Sequence, residues 1–417
     1  MPNSNQEVVV IGGGVIGAAC AHFLLKSGHG VTIVEQGEFG RGCSHGNCGY
    51  VCPSHVLPLA QPAAVRNALK ALMSPDSPFT IRPRFDPALW GWLFRFVRRC
   101  NERDMLAAGE AIKALLVSSR ALYDELIRDE SLDAEWETRG LVLVFQTPPA
   151  MEHYAETDKL LRERFDMGAV RYDGPALEKL EPALKPGLAG GWHYPGDAHL
   201  RPDKLMSAWR QSLEARGARI QERTEFQGLE RDGTSWTVQT SHEPLKADAV
   251  VVAAGAWTPL LHKQLGCAIS IQPGKGYSIT MARPSVCPVL PMLFEEHRVA
   301  VTPMRTTYRL GSTMEFAGYD STLNRKRLDL LRNGAANYLR EPCGEPVFEE
   351  WYGWRPMSSD GKPFVGPCPG MENVFIAAGH GMLGLSMAPA TGKLIAEMID
   401  GMKPHLDPAP YSIANRT

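Results

Sequence analysis

The sequence lacks an excess of charge of one sign. Lys and Arg number 44 against 46 Asp and Glu, a net charge of −2 over 417 residues, so the basic surplus of a nucleic-acid-binding chain is missing. No apolar run reaches the roughly 18–20 residues of a membrane span. The opening MPNSNQE is polar and enters VVVIGGG without a basic stretch or a small-residue cleavage site, so a cytoplasmic chain is expected. Low complexity is absent too: 40 Gly and 32 Pro stay below the roughly 25–30% that marks it. Nine cysteines are an odd count in a long chain, which argues against a disulfide framework. Cys43, Cys48 and Cys52 lie close together but lack the CxxC or Cys/His pairing of a zinc site. Reduced thiols and no metal are expected there. What remains is an enzyme-sized chain of two or three domains at roughly 150 residues each.

The clearest feature present is a βαβ unit. Val8–Ile11 reads as a buried strand, residues 18–27 as a helix stopped by Gly28, and Val31–Val34 as a second strand ending at Glu35. Between strand and helix stand Gly12, Gly14 and Gly17 in G-x-G-x-x-G spacing. The first allows the tight turn, the second the approach of a pyrophosphate, and the third close packing of helix on strand. An acidic residue about twenty positions on suits a ribose hydroxyl. Near the C-terminus, VFIAAGHGMLGLSMAPATGKLIAEMI gives another strand, glycine turn and helix. That second helix N-terminus suits a flavin edge that becomes negative on reduction. Residues 36–62 form a long loop of the kind that is usually functional. Strand-rich stretches at 224–252 and 269–316 interrupt the units belonging with the opening βαβ.

One segment admits two readings. Leu89, Trp90, Trp92, Leu93, Phe94, Phe96 and Val97 are interleaved with Arg95, Arg98 and Arg99. A core helix with a basic end is the favoured reading, and a helix lying on a membrane surface is the alternative.

Taken together these segments resemble the FAD-dependent D-amino acid oxidase superfamily, nearest its bacterial D-amino acid dehydrogenases. The resemblance rests on VVVIGGGVIGAACAHFLLKSGHGVTIVE, SHGNCG, VVVAAGAWT, PGKGYSIT, RLGSTMEFAGYD, and GWRPMSSDGKPFVG with the GHGMLG helix. The C-terminal run is also similar to glycine oxidase. The resemblance implies an α/β fold, with a Rossmann-like FAD-binding domain assembled from discontinuous segments. A substrate domain with a large mixed β-sheet accompanies it. The expected FAD domain takes 1–135, 185–262 and 350–417, and the substrate domain 136–184 and 263–349.

Carried over by position, Gly12, Gly14, Val15, Ile16 and Gly17 hold the pyrophosphate, and Glu35 with Gln36 the ribose. Ser44, Asn47, Cys48 and Gly49 fall on the flavin-contacting loop, and Phe226 on the adenine-contacting strand. Ala254 and Gly255 form a small-residue turn. Gly379, His380, Gly381, Met382, Leu383, Gly384 and Leu385 form the flavin-edge turn. Arg355 matches the carboxylate-binding arginine, with Tyr277 as a second substrate contact and His55 or His380 lining the pocket. Met357 and Ser358 stand where covalent relatives carry cysteine, so noncovalent FAD is expected. The implied reaction is oxidation of a D-amino acid, or of a cyclic imino acid such as D-proline or hydroxyproline, by hydride transfer to flavin N5. Electrons then pass to a quinone or another carrier. Three alternatives stand beside it: an O2-using oxidase, a flavin-holding subunit inactive alone, and a plain NAD-dependent dehydrogenase. Peripheral contact with the inner face of the plasma membrane accompanies the quinone reading, and the oligomeric state is left open.

Overall fold

A computed structural model describes residues 5–66, 77–414 and 416. The opening βαβ forms as its pattern requires. Strands Glu7–Ile11 and Gly30–Val34 lie parallel, with helix Val15–Lys26 between them in sequence. Their Val- and Ile-rich runs are buried on both faces, which is the environment of a parallel sheet covered on each side. The sheet grows to six strands in the order 364–367, 374–378, 249–252, 7–11, 30–34, 219–221. All its neighbours are parallel except the edge pair Phe364–Pro367 and Val374–Ala378. Three distant stretches of chain thus build one Rossmann-like sheet.

One face of this sheet packs against helices Val15–Lys26, Pro202–Ala215 and Gly384–Ile399. The other meets the antiparallel ribbon formed by strands between 226 and 247. Helices Val15–Lys26 and Gly384–Ile399 cross very closely. A Cβ on Gly392 would come within 2.4 Å of the Ala19 backbone.

The second sheet is large and mixed. Its order is 347–358, 271–281, 308–316, 299–303, 292–294, 141–145, 190–194, 170–173, and Phe79–Ile81 adds to Tyr308–Phe316. An apolar core including Ile279, Tyr308, Leu310, Leu328 and Leu331 fills the space under helix Arg325–Ala336. Strands Gly190–Tyr194 and Val347–Ser358 belong to this sheet, although the spans 185–262 and 350–417 were expected with the dinucleotide sheet. The reason is pairing. Gly190–Tyr194 is hydrogen-bonded between Leu141–Phe145 and Val170–Asp173, and Val347–Ser358 runs along Ile271–Met281. The chain passes between the two sheets just before Ile271 and just after Ser358, and the strand carrying Arg355 lies in the large sheet.

Candidate active site

The glycine turn after the first strand has no room for a side chain at Gly12 or Gly17. Gly12 has φ +111°, and a Cβ there would lie 2.5 Å from the Ala253 carbonyl oxygen. One on Gly17 would lie 1.9 Å from the Gly12 carbonyl oxygen. Gly14 is the N-cap of helix Val15–Lys26, which has neither a capping side chain nor an acid in its first turn. Val15 N–H donates to Ser44 Oγ at 3.0 Å, and Ile16 and Gly17 follow on the same uncapped turn. Such an end binds an anion through free N–H groups and the helix dipole. At the end of the neighbouring strand the Glu35 carboxylate accepts from Gly13 N at 2.7 Å and Gly37 N at 2.8 Å, with Gln36 exposed beside it. Phe226 is buried in the cluster containing Val34, and Ala254 and Gly255 turn the chain just past Gly12.

The second glycine turn approaches from the C-terminal side. Gly379 and Gly381 have φ of +82° and +58°. Met382 is exposed, Leu383 precedes helix Gly384–Ile399, and Leu385 is buried. This helix start again lacks a capping side chain and an acid. Gly381 N–H donates to the Pro356 carbonyl at 2.9 Å, and His380 makes a β-bridge to Met357. The turn is therefore fastened to the strand carrying Arg355.

That strand shows how the sheet makes a site. On Ile271–Met281, Tyr308–Phe316 and Val347–Ser358 one face carries Tyr277, Ile279, Tyr308 and Leu310 together with the buried charges of Lys275 and Glu315. The other carries Gly276, Ser278, Thr280, Arg309, Gly311, Gly353 and Arg355, and residues 43–49 lie across it. A Cβ on Gly311 would sit 2.5 Å from Cys48 Sγ, and one on Gly276 would sit 2.3 Å from Arg355 Cζ. The glycines make the room. Arg309 is fully buried and holds the loop down, donating to the carbonyls of His45 at 3.0 Å and Asn47 at 2.6 Å and to Thr280 Oγ1 at 2.9 Å. Asn47 Oδ1 accepts from Gly49 N at 2.8 Å, which closes the loop on itself.

Arg355 donates to the Thr313 carbonyl at 2.6 Å. Among the described residues it has no carboxylate partner. Its titratable neighbours are thiols: burial pushes Cys43 up to about 11 and raises Cys48, so both stay protonated and neutral. Burial likewise lowers the affinity of Arg355 for its own proton. Ser278 Oγ and Thr313 Oγ1 are buried without a hydrogen-bond partner. A desolvated guanidinium beside unpartnered hydroxyls is costly unless a polar, anionic group completes it.

Other expected contacts are not brought here. Tyr277 faces the opposite side of the sheet, because side chains alternate along a strand and Gly276 takes the Arg355 side. Its ring packs in the apolar cluster there, and its hydroxyl donates at 2.7 Å to Glu315, which is ion-paired with Arg82. The His380 ring is buried, meets Thr391 Oγ1 at 3.0 Å, and is pushed down to about 3 by desolvation. It braces the last helix. His55 lies with Cys52 and Asp197, the ligand atoms of the three within 4.8 Å of one another. Asp197 spends its oxygens on Ser54 N at 3.1 Å and Ser54 Oγ at 2.6 Å. Cys52 is thus separated from Cys43 and Cys48, which border Arg355. Arg309 was not singled out from the sequence. Its signal was available in Tyr308-Arg309-Leu310-Gly311, where apolar residues alternate with a charge and a glycine.

Comparison with known proteins decides the family. Residues 7–398 match the family described as DAO, FAD dependent oxidoreductase. The chain belongs to it. The chain is 32% identical to a D-amino acid dehydrogenase of Granulibacter bethesdensis over 98% of its own length and 99% of the relative's. It is 33% identical to one of Methylobacterium nodulans, covering 96% of this chain and 97% of that one. Among solved structures it resembles glycine oxidase of Geobacillus kaustophilus, with a TM-score of 0.80 at 23% identity, covering 99% of each chain. The protein is an FAD-dependent oxidoreductase, and its residues fit that cofactor. Gly12 and Gly17 let strand, turn and helix close on one another without side chains, Gly14 leaves the helix start bare of one, Glu35 stands at the end of the neighbouring strand, and two helix starts without an acid in their first turns would suit the anionic parts.

Proposed function

We propose that this chain is a D-amino acid dehydrogenase that oxidises a D-amino acid, or a cyclic imino acid such as D-proline or hydroxyproline. It releases the electrons to a quinone or another carrier. One observation carries the reading: Arg355 is a partly buried guanidinium without a carboxylate partner among the described residues, on the sheet face that also lies against the flavin-loop residues 43–49. The names of the relatives add support for the D-amino acid class.

FAD, when bound, supplies the hydride acceptor for the substrate Cα–H. The planar Arg355 fork takes both carboxylate oxygens of the substrate, which fixes direction as well as charge. Its own bond to the Thr313 carbonyl holds the fork in place. Protonated Cys43 and Cys48 leave the positive charge of Arg355 available to the substrate. Ser278 and Thr313 offer hydroxyls for the polar end, and Met357 beside Gly274 offers an apolar wall for a side chain. FAD contacts are assigned to the glycine turn, Glu35, the 44–49 loop and the 379–385 turn, and we take its attachment to be noncovalent.

A screen of D- and L-amino acids, imino acids and glycine with a redox dye tests the reading. Activity on D-amino or D-imino acids with slow reoxidation of the reduced enzyme in air is expected. Preference for L-amino acids or glycine, or rapid reoxidation in air, would overturn it in favour of another oxidase or dehydrogenase.

A further inference from the structure

Helix Pro87–Arg99 buries one stripe and exposes another that is equally apolar. Leu89 and Trp92 are buried, and Trp92 packs with Met314, Phe316 and Met357 and donates its indole N–H to the Met357 carbonyl at 2.9 Å. On the opposite side Trp90, Phe94 and Val97 follow the i, i+4, i+7 spacing of one helix face. They are 57%, 64% and 50% exposed, and Phe85 just before the helix is 99% exposed. A soluble surface carries single exposed apolar residues without consequence, but a row of two aromatics and a valine on one short helix marks a contact surface. The core-helix reading of this segment therefore accounts for only half of it.

The charges beside the row have one sign. Arg95 and Arg98 are exposed on its flank. Arg98 lies over the Phe94 ring at 5.7 Å, and Arg95 reaches only Ser270 Oγ at 3.4 Å. Arg99 at the helix end shares Asp104 at 3.3 Å. Asp86, the acid at the start, is consumed by capping Ala88 and Leu89 and by Arg84. Indole and phenyl groups beside arginines are the composition of a helix lying in the headgroup layer of a bilayer. Among the described residues no helix is long and apolar enough to cross a membrane, so the contact is in-plane.

We propose that helix Pro87–Arg99 docks this protein on an anionic lipid surface, with Phe85, Trp90, Phe94 and Val97 entering the interface and Arg95 and Arg98 meeting lipid phosphates. The surface lies behind Met357, two residues from Arg355 on the same strand, so docking presents the substrate side of the molecule to the bilayer. The inference stands apart from the identity of the substrate.

Co-sedimentation of the FAD-loaded protein with vesicles tests it. One set is phosphatidylcholine alone, the other phosphatidylcholine with phosphatidylglycerol. Binding to the anionic vesicles, weakened by salt, is expected. Each basic residue near the surface is worth about fivefold in binding, so Arg95→Glu with Arg98→Glu should weaken it by well over tenfold. Trp90→Ser with Phe94→Ser should abolish it. Dye-linked oxidation and melting temperature should be unchanged in both double variants, because the altered side chains are exposed; that separates loss of docking from loss of fold or of catalysis. No binding to either vesicle overturns the proposal, as does binding that both variants retain. A change of oligomeric state in Trp90→Ser with Phe94→Ser, without vesicle binding by the parent, would assign the face to a second copy and overturn it equally.

Discussion

At the scale of the residue, Arg355 is the side chain on which the proposed chemistry turns. A charge-assisted hydrogen bond contributes about 1.5–3 kcal/mol net, and a carboxylate on this fork gains two. Arg355→Leu should therefore lower kcat/KM on the preferred amino acid by roughly 10- to 100-fold, or more if Cα is displaced from the hydride acceptor. Arg355→Lys should recover only part, since an ammonium keeps charge without the planar fork. FAD absorbance per chain should persist in both variants. Near-normal kcat/KM in Arg355→Leu would show that another group holds the carboxylate. His380 makes a different prediction. Its folded pKa lies at about 3 and its unfolded value near 6.5, so the unfolded chain binds the extra proton between those limits. Stability is therefore fully present above about pH 6.5 and lost as pH falls, by roughly 2 kcal/mol from this residue at pH 5. His380→Gln, which can still bond Thr391, should flatten the fall in melting temperature between pH 7 and 5. An unchanged slope would mean that the ring is protonated in the folded protein.

At the scale of the element, the fate of each expectation follows from how local its cause is. The βαβ unit was legible because its strand run, glycine spacing and terminal Glu35 all lie within thirty residues. The strand at 374–378 and the helix after it were legible for the same reason. The side of the sheet on which Tyr277 lies was not. Periodicity says that Gly276 and Tyr277 face opposite ways, but only the pairing with Val347–Ser358 says which side receives Arg355. The surroundings of His55 were not legible, because Asp197, which comes within 4.8 Å of it, lies more than a hundred residues away. The Gly384–Ile399 helix shows a contest between local and tertiary causes. Gly392 is a poor helix former, and alanine there gains about 1 kcal/mol of propensity. Against that stands a Cβ within 2.4 Å of the Ala19 backbone, an overpacking that costs about 1–3 kcal/mol. Gly392→Ala should lower the melting temperature despite its propensity, and Gly392→Val should do so further. Because the displaced partner is the helix that starts at Gly14, FAD content measured by absorbance should fall in the same order. A more stable Gly392→Ala protein would show that the helices can separate at no cost.

At the scale of the whole molecule, two sheets meet where the chain crosses between them, and one apolar cluster runs from Val8 and Ile33 of the first to Leu143 and Trp192 of the second. The dinucleotide sheet contributes the glycine turn, Glu35 and the Gly379–Leu385 turn, and the large sheet contributes Arg355 and the face beneath residues 43–49. On the assignment proposed above FAD touches both sets, so it should act as a strut between the halves as well as a reactant. A ligand bound only by the folded state adds about 2.7 kcal/mol at a hundred times its dissociation constant. FAD-free protein should therefore melt about 3–5 °C below the loaded protein, and added FAD should restore the difference. Attachment follows from the same arrangement. Met357 packs with Trp92, Met314 and Phe316, and Ser358 follows it, so this stretch of the strand offers no thiol to the ring. Precipitation with acid should release all the yellow colour into the supernatant. Colour retained in the pellet would establish a covalent bond, and with Cys43 and Cys48 the cysteines that border the site, Cys43→Ser and Cys48→Ser would show which one forms it.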